Sequence, residues 1–332
     1  MANDRIVLAH GGGGSLSREL VEDVIAPALG TLPRDMPDAA WAPGAPDFAL
    51  AADAFVVKPL FFPGGDIGRL SVHGSLNDLA VAGAEPLAIA ISLVIEEGLA
   101  IETLERVLRS AGRAAAECGT PIIAGDTKVV ARGEADELFV SATALGRKRI
   151  EARPGLIRPG DQILLSGCLA DHGVAVLSAR QGMEFETPIE SDSACLWPLV
   201  AALIEAGVDV HAMRDPTRGG LAACCAELAD TASVSMELEE AAIPVRAGTA
   251  AACGMLGLDP LTVANEGKLV AFVGADSAQR ALAILREQPL GRQAAIVGQV
   301  QERQRPAVAM RTRLGGRRVV RMPYGEDLPR IC

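Results

Sequence analysis

The sequence has 332 residues, 49% of them apolar but only 3% aromatic, and a formal net charge of −11. That length suits two domains, each large enough for its own core, and the acidic balance argues against nucleic acid or an anionic membrane as partner. Seven cysteines lie scattered at positions 118, 168, 195, 224, 225, 253 and 332 without CxxC or Cys/His ligand spacing, which argues against a zinc site. Their odd number, with no signal peptide and no apolar run of membrane-span length, predicts reduced thiols and a cytoplasmic protein.

Residues 5–9 read as a short strand, followed by His10-Gly11-Gly12-Gly13-Gly14-Ser15 and a helix with its apolar stripe at Leu16, Leu20, Val21, Val24 and Ile25. A glycine loop feeding a helix N-terminus can cradle phosphates through backbone N–H groups. No GK[ST] follows, so this is not a Walker A loop, and a plain flexible turn fits it equally. Residues 31–47 read as a loop. Asp53 then falls at an expected kink between the apolar runs 48–50 and 55–57, where a turn aspartate is as good a reading as a ligand.

Gly64-Gly65-Asp66-Ile67-Gly68 opens a helix that should end near Gly83, with Asp66 as its N-cap. Asp78 interrupts the small apolar surface of that helix beside Asn77. It is either solvated or aimed at a metal, since Asp is a weak helix former. A strand over Pro86–Ile95 and a helix from Ile101 to Gly119 follow. The buried strand Pro121–Ala124 then runs into Gly125-Asp126-Thr127-Lys128. Ligands sit at strand ends in α/β folds, and an Asp and a Lys two residues apart suit a metal–phosphate site. After a strand at Leu138–Leu145, Pro-Gly pairs at 154–155 and 159–160 mark a domain boundary near residue 153.

The second half has the same texture. Arg214, Asp215, Thr217, Arg218, Gly219 and Gly220 crowd a polar loop that opens a helix over Leu221–Ala229, offering N–H groups and positive charge. His211 reads as structural, and Cys224-Cys225 as packing residues. Apolar runs at 261–264 and 269–272 predict a β-hairpin with Glu266 at its bend. Beyond the last strand, residues 311–332 read as a mobile tail, interrupted by Pro323, Gly325 and Pro329 and stopping at Cys332. Ten extended residues span roughly 30 Å, enough to carry a group on that thiol into a pocket.

Taken together, HGGGG, GGDIGRLSVHGSLNDLAVAGAEP, IAGDTKV, RDPTRGGLA, ANEGKLV and the final PRIC resemble the HypE family of hydrogenase maturation factors. That family lies within the ATP-binding superfamily of aminoimidazole ribonucleotide synthetase and selenophosphate synthetase. The first five motifs mark the superfamily, and PRIC selects the family. Ala51-Ala52-Asp53-Ala54 departs from a more usual Thr-Thr-Asp-Ser, losing the flanking hydroxyls but keeping the aspartate.

The resemblance implies an α/β, two-domain aminoimidazole ribonucleotide synthetase-like fold: an ATP-binding and dimerisation domain over 1–153, a second domain over 154–310 and the tail. The first domains would close a β-barrel across a homodimer. It implies ATP-dependent dehydration of a carbamoyl group on Cys332 to a thiocyanate, after loading by the carbamoyltransferase HypF and before transfer towards the iron-carrying HypC–HypD complex. By the same resemblance Lys128 and Glu266 handle protons near Cys332. Gly11, Gly12, Gly13, Asp66, Asn77, Thr127, Arg214, Thr217, Gly219 and Gly220 serve the nucleotide, and Asp53, Asp78, Asp126 and Asp215 hold Mg²⁺. Two rival readings are another amide- or selenium-activating synthetase, which the terminal Cys argues against, and a non-catalytic nucleotide-binding scaffold, which would need neither Lys128 nor Glu266.

Overall fold

The computed structural model describes residues 5–30, 37–183, 185, 188–325 and 330–332. The first layer is a five-stranded sheet built from β1 (Ala40–Ala42), β2 (Ala45–Phe55), β5 (Ala84–Glu96), β6 (Ile122–Val130) and β7 (Leu138–Lys148), in the order β1-β2-β7-β5-β6. A two-stranded ribbon, β3 (Phe61–Phe62) and β4 (Gly65–Asp66), leads into α3 (Ile67–Val81); α1 (Ser15–Leu20) and α2 (Ala26–Leu29) precede the sheet, and α4 (Ile101–Glu117) packs against α3. Asp66 caps α3 as its sequence predicts, accepting the N–H groups of Gly68 and Arg69 at 2.8 and 3.1 Å. Every residue of α3 except Arg69 and Asp78 is buried, the pattern of a helix enclosed on all sides.

The second layer is a seven-stranded sheet ordered β14-β13-β10-β12-β8-β11-β9. Its strands are β8 (Gln162–Leu165), β9 (Val210–Arg214), β10 (Ser235–Glu239), β11 (Val270–Val273), β12 (Ala295–Gln301), β13 (Val308–Arg311) and β14 (Arg317–Val319). Its helices are α5 (Asp171–Gln181), α6 (Trp197–Glu205), α7 (Gly220–Thr231), α8 (Ala247–Leu256) and α9 (Ala275–Glu287). The two layers share their cores. Ala80 and Val81 of α3 pack with Leu164, Leu196 and Leu203, while Val176, Ala264 and Ile331 pack among the residues of the first layer.

Several sequence expectations change. Residues 5–9 make no strand, and Leu8–Gly11 is a 3₁₀ turn with Leu8 exposed. Asp53 lies within the straight β2, paired opposite Ala142 of β7, because the ladder overrides the expected kink. Asp126, Thr127 and Lys128 lie within β6, which parallel pairing to β5 holds extended past the Gly-Asp that reads as a turn. Residues 261–269 form no strand, so the hairpin around Glu266 is absent; the run at 261–264 is instead buried in the core as an irregular segment. The tail is not loose from residue 311: β14 adds to the edge of the second sheet by pairing with β13.

Candidate active site

Three carboxylates converge where the layers meet. Oxygens of Asp38, Asp78 and Asp215 all lie within 4.8 Å of one another. Asp78 comes from α3 and Asp215 from the end of β9, while Asp38 precedes β1 and was not legible as a ligand. Arg214 holds Asp38 through Nε at 2.9 Å and also meets Glu227 at 3.5 Å. Asp53 stands beside this group, accepting Ser75 Oγ at 3.1 Å and hydrogen-bonding with Asp78.

Burial pushes Asp38 up to about 6 despite the pull of Arg214. Burial, then Asp38, pushes Asp215 up to about 8. Asp78 is driven well above the usual carboxylate range by burial and by Asp53 and Asp215. Crowded acids that resist ionisation become favourable ligands once a divalent cation lies between them, so the donor set fits Mg²⁺. Asp126 stands outside this group. It pairs with Lys128 at 2.7 Å on β6, and both side chains are exposed.

The glycine loop docks on the loop that follows β9. Arg218 Nη1 donates to the Gly11 carbonyl at 2.9 Å. Gly13 and Gly219 both adopt positive φ, and a Cβ on Gly13 would lie 2.5 Å from that of Arg218, so neither position readily takes a side chain. Two motifs that are 200 residues apart thus become one surface, with Gly12, Arg218 and Gly219 lining a shared cavity. N–H groups at the start of α1 have partners within the chain. Gly13 N–H donates to Ser17 Oγ, Ser15 N–H to the Pro323 carbonyl at 2.9 Å, and Leu16 N–H to the Tyr324 carbonyl at 3.3 Å.

Glu266 is buried, not an exposed turn residue, and its Oε1 has no hydrogen-bond partner among the described residues. Burial, then the charges of Asp215, Asp192 and Asp53, raise its pKa well above the ordinary value. Its backbone is clamped on both sides: the N–H donates to Asp192 Oδ1 at 3.0 Å, and the carbonyl accepts Asn77 Nδ2 at 3.2 Å. Asn77 also binds the Ala194 carbonyl and the Leu196 N–H. Its amide thus bridges the loops that carry Glu266 and Ala194–Leu196. The Asp66 side chain caps the same helix. His73, one turn before Asn77 on α3, meets Ser193 Oγ at 2.9 Å, so one helix face grips the 191–196 segment twice. Asp192 is in turn paired with the buried Lys268 at 2.8 Å.

The last residues lie in the same region. Ile331 is only 2% exposed, an anchor worth about 2 kcal/mol of burial, and Cys332 packs beside it against the first core. The Cys332 carbonyl accepts the Val56 N–H at 3.2 Å, one residue past β2. Three residues of extended chain separate Val56 from Asp53, a span of roughly 10 Å.

Comparison with known proteins agrees with this geometry. The family described as AIR synthase related protein, N-terminal domain, matches residues 37–148, and its C-terminal domain counterpart matches residues 158–311. Carbamoyl dehydratase HypE of Cupriavidus necator is 48% identical over 337 residues, covering 99% of this chain and 95% of that protein. A crystal structure of the hydrogenase maturation protein HypE in complex with ATP superposes with a TM-score of 0.84 at 42% identity, covering 99% of this chain and all of the other. A HypE–HypF complex superposes with a TM-score of 0.87 at 40% identity, covering 92% of this chain and 99% of the other. Motifs, fold and full-length similarity converge: the chain belongs to the HypE carbamoyl dehydratase family.

Proposed function

We propose that this chain is an ATP-dependent carbamoyl dehydratase whose substrate is carried on its own Cys332. The observation that carries this reading is the seat of residues 330–332 at the end of β2, the strand that also bears Asp53. HypF, which a similar HypE binds in a crystal, loads the thiol as a thiocarbamate. ATP phosphorylates the carbamoyl oxygen, which then leaves on phosphate as the nitrogen gives up two protons and the carbon–nitrogen bond becomes a nitrile. The cyanated Cys332 then meets the iron-carrying HypC–HypD complex, for a [NiFe]-hydrogenase; release as cyanide with the thiolate restored takes two electrons, which that acceptor complex must supply.

Asp38, Asp78 and Asp215, with Asp53 beside them, would hold magnesium. When bound, the metal neutralises charge on the triphosphate and the transferring group. Gly11, Gly12, Gly13, Thr217, Gly219 and Gly220 shape the phosphate side of the cleft, and Arg218 ties its two halves together. Glu266 is the better placed proton handler. It is buried, one oxygen of its carboxyl has no hydrogen-bond partner among the described residues, and burial, then the nearby Asp215, raises its pKa, as a proton handler requires.

Lys128, Thr127 and Asp126 act where β6 meets another surface. No strand pairs with the outer edge of β6 among the described residues, and Ile123 and Val129 on it are each 68% exposed. Such an edge is suited to pairing with a second copy, so the active form is a homodimer whose barrel closes across that edge.

The test couples phosphate release to loading. With HypF and carbamoyl phosphate present, ATP hydrolysis should depend on Cys332 and be lost in Cys332→Ala. Hydrolysis at an unchanged rate in that variant contradicts the reading.

A further inference from the structure

The contacts of the last three residues form a receptor. Arg330, Ile331 and Cys332 run in the opposite direction beside Val56–Lys58, with Val56 N–H donating to the Cys332 carbonyl at 3.2 Å and Lys58 N–H to the Arg330 carbonyl at 3.3 Å. Arg180 Nη2 donates to that same Arg330 carbonyl at 2.6 Å. His172 Nε2 lies 2.9 Å from the Ile331 carbonyl, and its Nδ1 lies 2.8 Å from Ser191 Oγ. A carbonyl can only accept, so Nε2 carries the proton and Nδ1 accepts from Ser191.

The Arg330 side chain is held independently. Its Nη1 pairs with Asp136, its Nε donates to the Val56 carbonyl at 2.9 Å, and its guanidinium lies 5.8 Å from the ring centre of Phe139. Arg330 has φ of +53°, a left-handed conformation that a non-glycine residue keeps only when its surroundings impose it.

We propose that Asp136, Arg180 and His172 are positioning residues that read Arg330-Ile331 and so fix the register in which the Cys332 sulfur is presented. The inference rests on the dehydratase reading and deepens it. All three backbone carbonyls from 330 to 332 are engaged, and the two side chains recognised are those before the cysteine. The contacts named here are therefore available whether the sulfur is bare, carbamoylated or cyanated, as a carrier that must return at successive stages requires. His172 also ties the receptor to the catalytic loop. It follows Asp171 at the start of α5, where Ala170 N–H binds Asn265 Oδ1 and Gly173 N–H binds the Ala264 carbonyl, immediately before Glu266.

The experiment uses the full chain with Asp136→Ala, His172→Leu and the conservative His172→Gln, which retains a donor. Two readouts are needed: the iodoacetamide alkylation rate of Cys332 in the unloaded protein, and the single-turnover rate of ATP-dependent conversion of thiocarbamate to thiocyanate after loading by HypF. Asp136→Ala and His172→Leu should each raise the alkylation rate several-fold and slow conversion about tenfold, equivalent to about 1.4 kcal/mol. Loading and nucleotide affinity should stay as in the parent, and His172→Gln should recover much of the loss. Alkylation and conversion both at parental rates in Asp136→Ala, a surface change that folding tolerates, overturn the receptor. If the parent itself shows no conversion, the dehydratase reading fails, while alkylation still reports on the receptor.

Discussion

Arg214 grips Asp38 through Nε at 2.9 Å, and that pair forms one wall of the three-carboxylate group. The guanidinium offsets one negative charge and leaves the others facing each other. The consequence is a site that is strained electrostatically until a cation enters. Asp78→Asn should therefore raise the melting temperature of the metal-free protein by a few degrees and weaken Mg²⁺ binding by at least about tenfold, or ~1.4 kcal/mol. Calorimetry with and without Mg²⁺ checks both effects.

The same group sets a pH dependence. A carboxyl whose folded pKa is raised above its unfolded value of about 4 keeps its proton longer when folded, so stability falls as pH rises between the two values. Asp38 at about 6 and Asp215 at about 8 place that fall between about pH 4 and pH 8. Melting of the metal-free protein should decline across that window, and Mg²⁺ should recover most at its alkaline end. Asp136 and Asp192 are shifted downward, so their contribution is lost only on acidification through and below the usual carboxylate range, outside this window.

Asn77→Ala removes the partner of one buried carbonyl, one part-buried carbonyl and one buried N–H. Each orphaned group costs about 1–3 kcal/mol, and the net destabilisation should be about 2–4 kcal/mol after local relaxation. Because the same amide positions Glu266, conversion of the thiocarbamate should slow more than ATP affinity falls. Denaturant unfolding and single-turnover assays separate the two effects.

Gly14→Ala should loosen the segment at 323–325 without disturbing the fold. Gly14 has an ordinary negative φ of −99°, but its Cβ would point into the Pro323 carbonyl. Faster amide exchange at Ser15 and Leu16, whose N–H groups donate to Pro323 and Tyr324, is the expected signature.

On β6, Ile123→Asp places a charge on the exposed edge and should turn a dimer into a monomer at micromolar concentration, as read by light scattering. An unchanged mass would move the interface elsewhere.

The sequence makes the helix caps and the glycine loop legible because their signals are local. Asp66 and its two N–H partners lie within four residues. Asp78 stands out because a carboxylate interrupts a buried helix. Asp38 does not, because it lies in an irregular Pro- and Ala-rich stretch where spacing carries no directional information. His172, Asp192 and Arg180 acquire their roles from contacts across the fold, and His172 meets Ile331 over 159 positions of sequence. The turns misplaced at Asp53 and at Gly125-Asp126 have one cause: β2 and β6 are held extended by neighbouring strands, against the local preference of Asp and Gly for turns. The tail expected from residue 311 is held at residues 317–319, paired as β14, and at residues 330–332; residues 326–329 lie outside the described part.

The account is tested most directly by mass spectrometry of the peptide ending at Cys332, after incubation with HypF, carbamoyl phosphate and ATP. It predicts the carbamoyl increment on Cys332, followed by loss of one water mass only when ATP is hydrolysed. Hydrolysis of ATP with the carbamoyl increment unchanged, or with the increment on another cysteine, would contradict it.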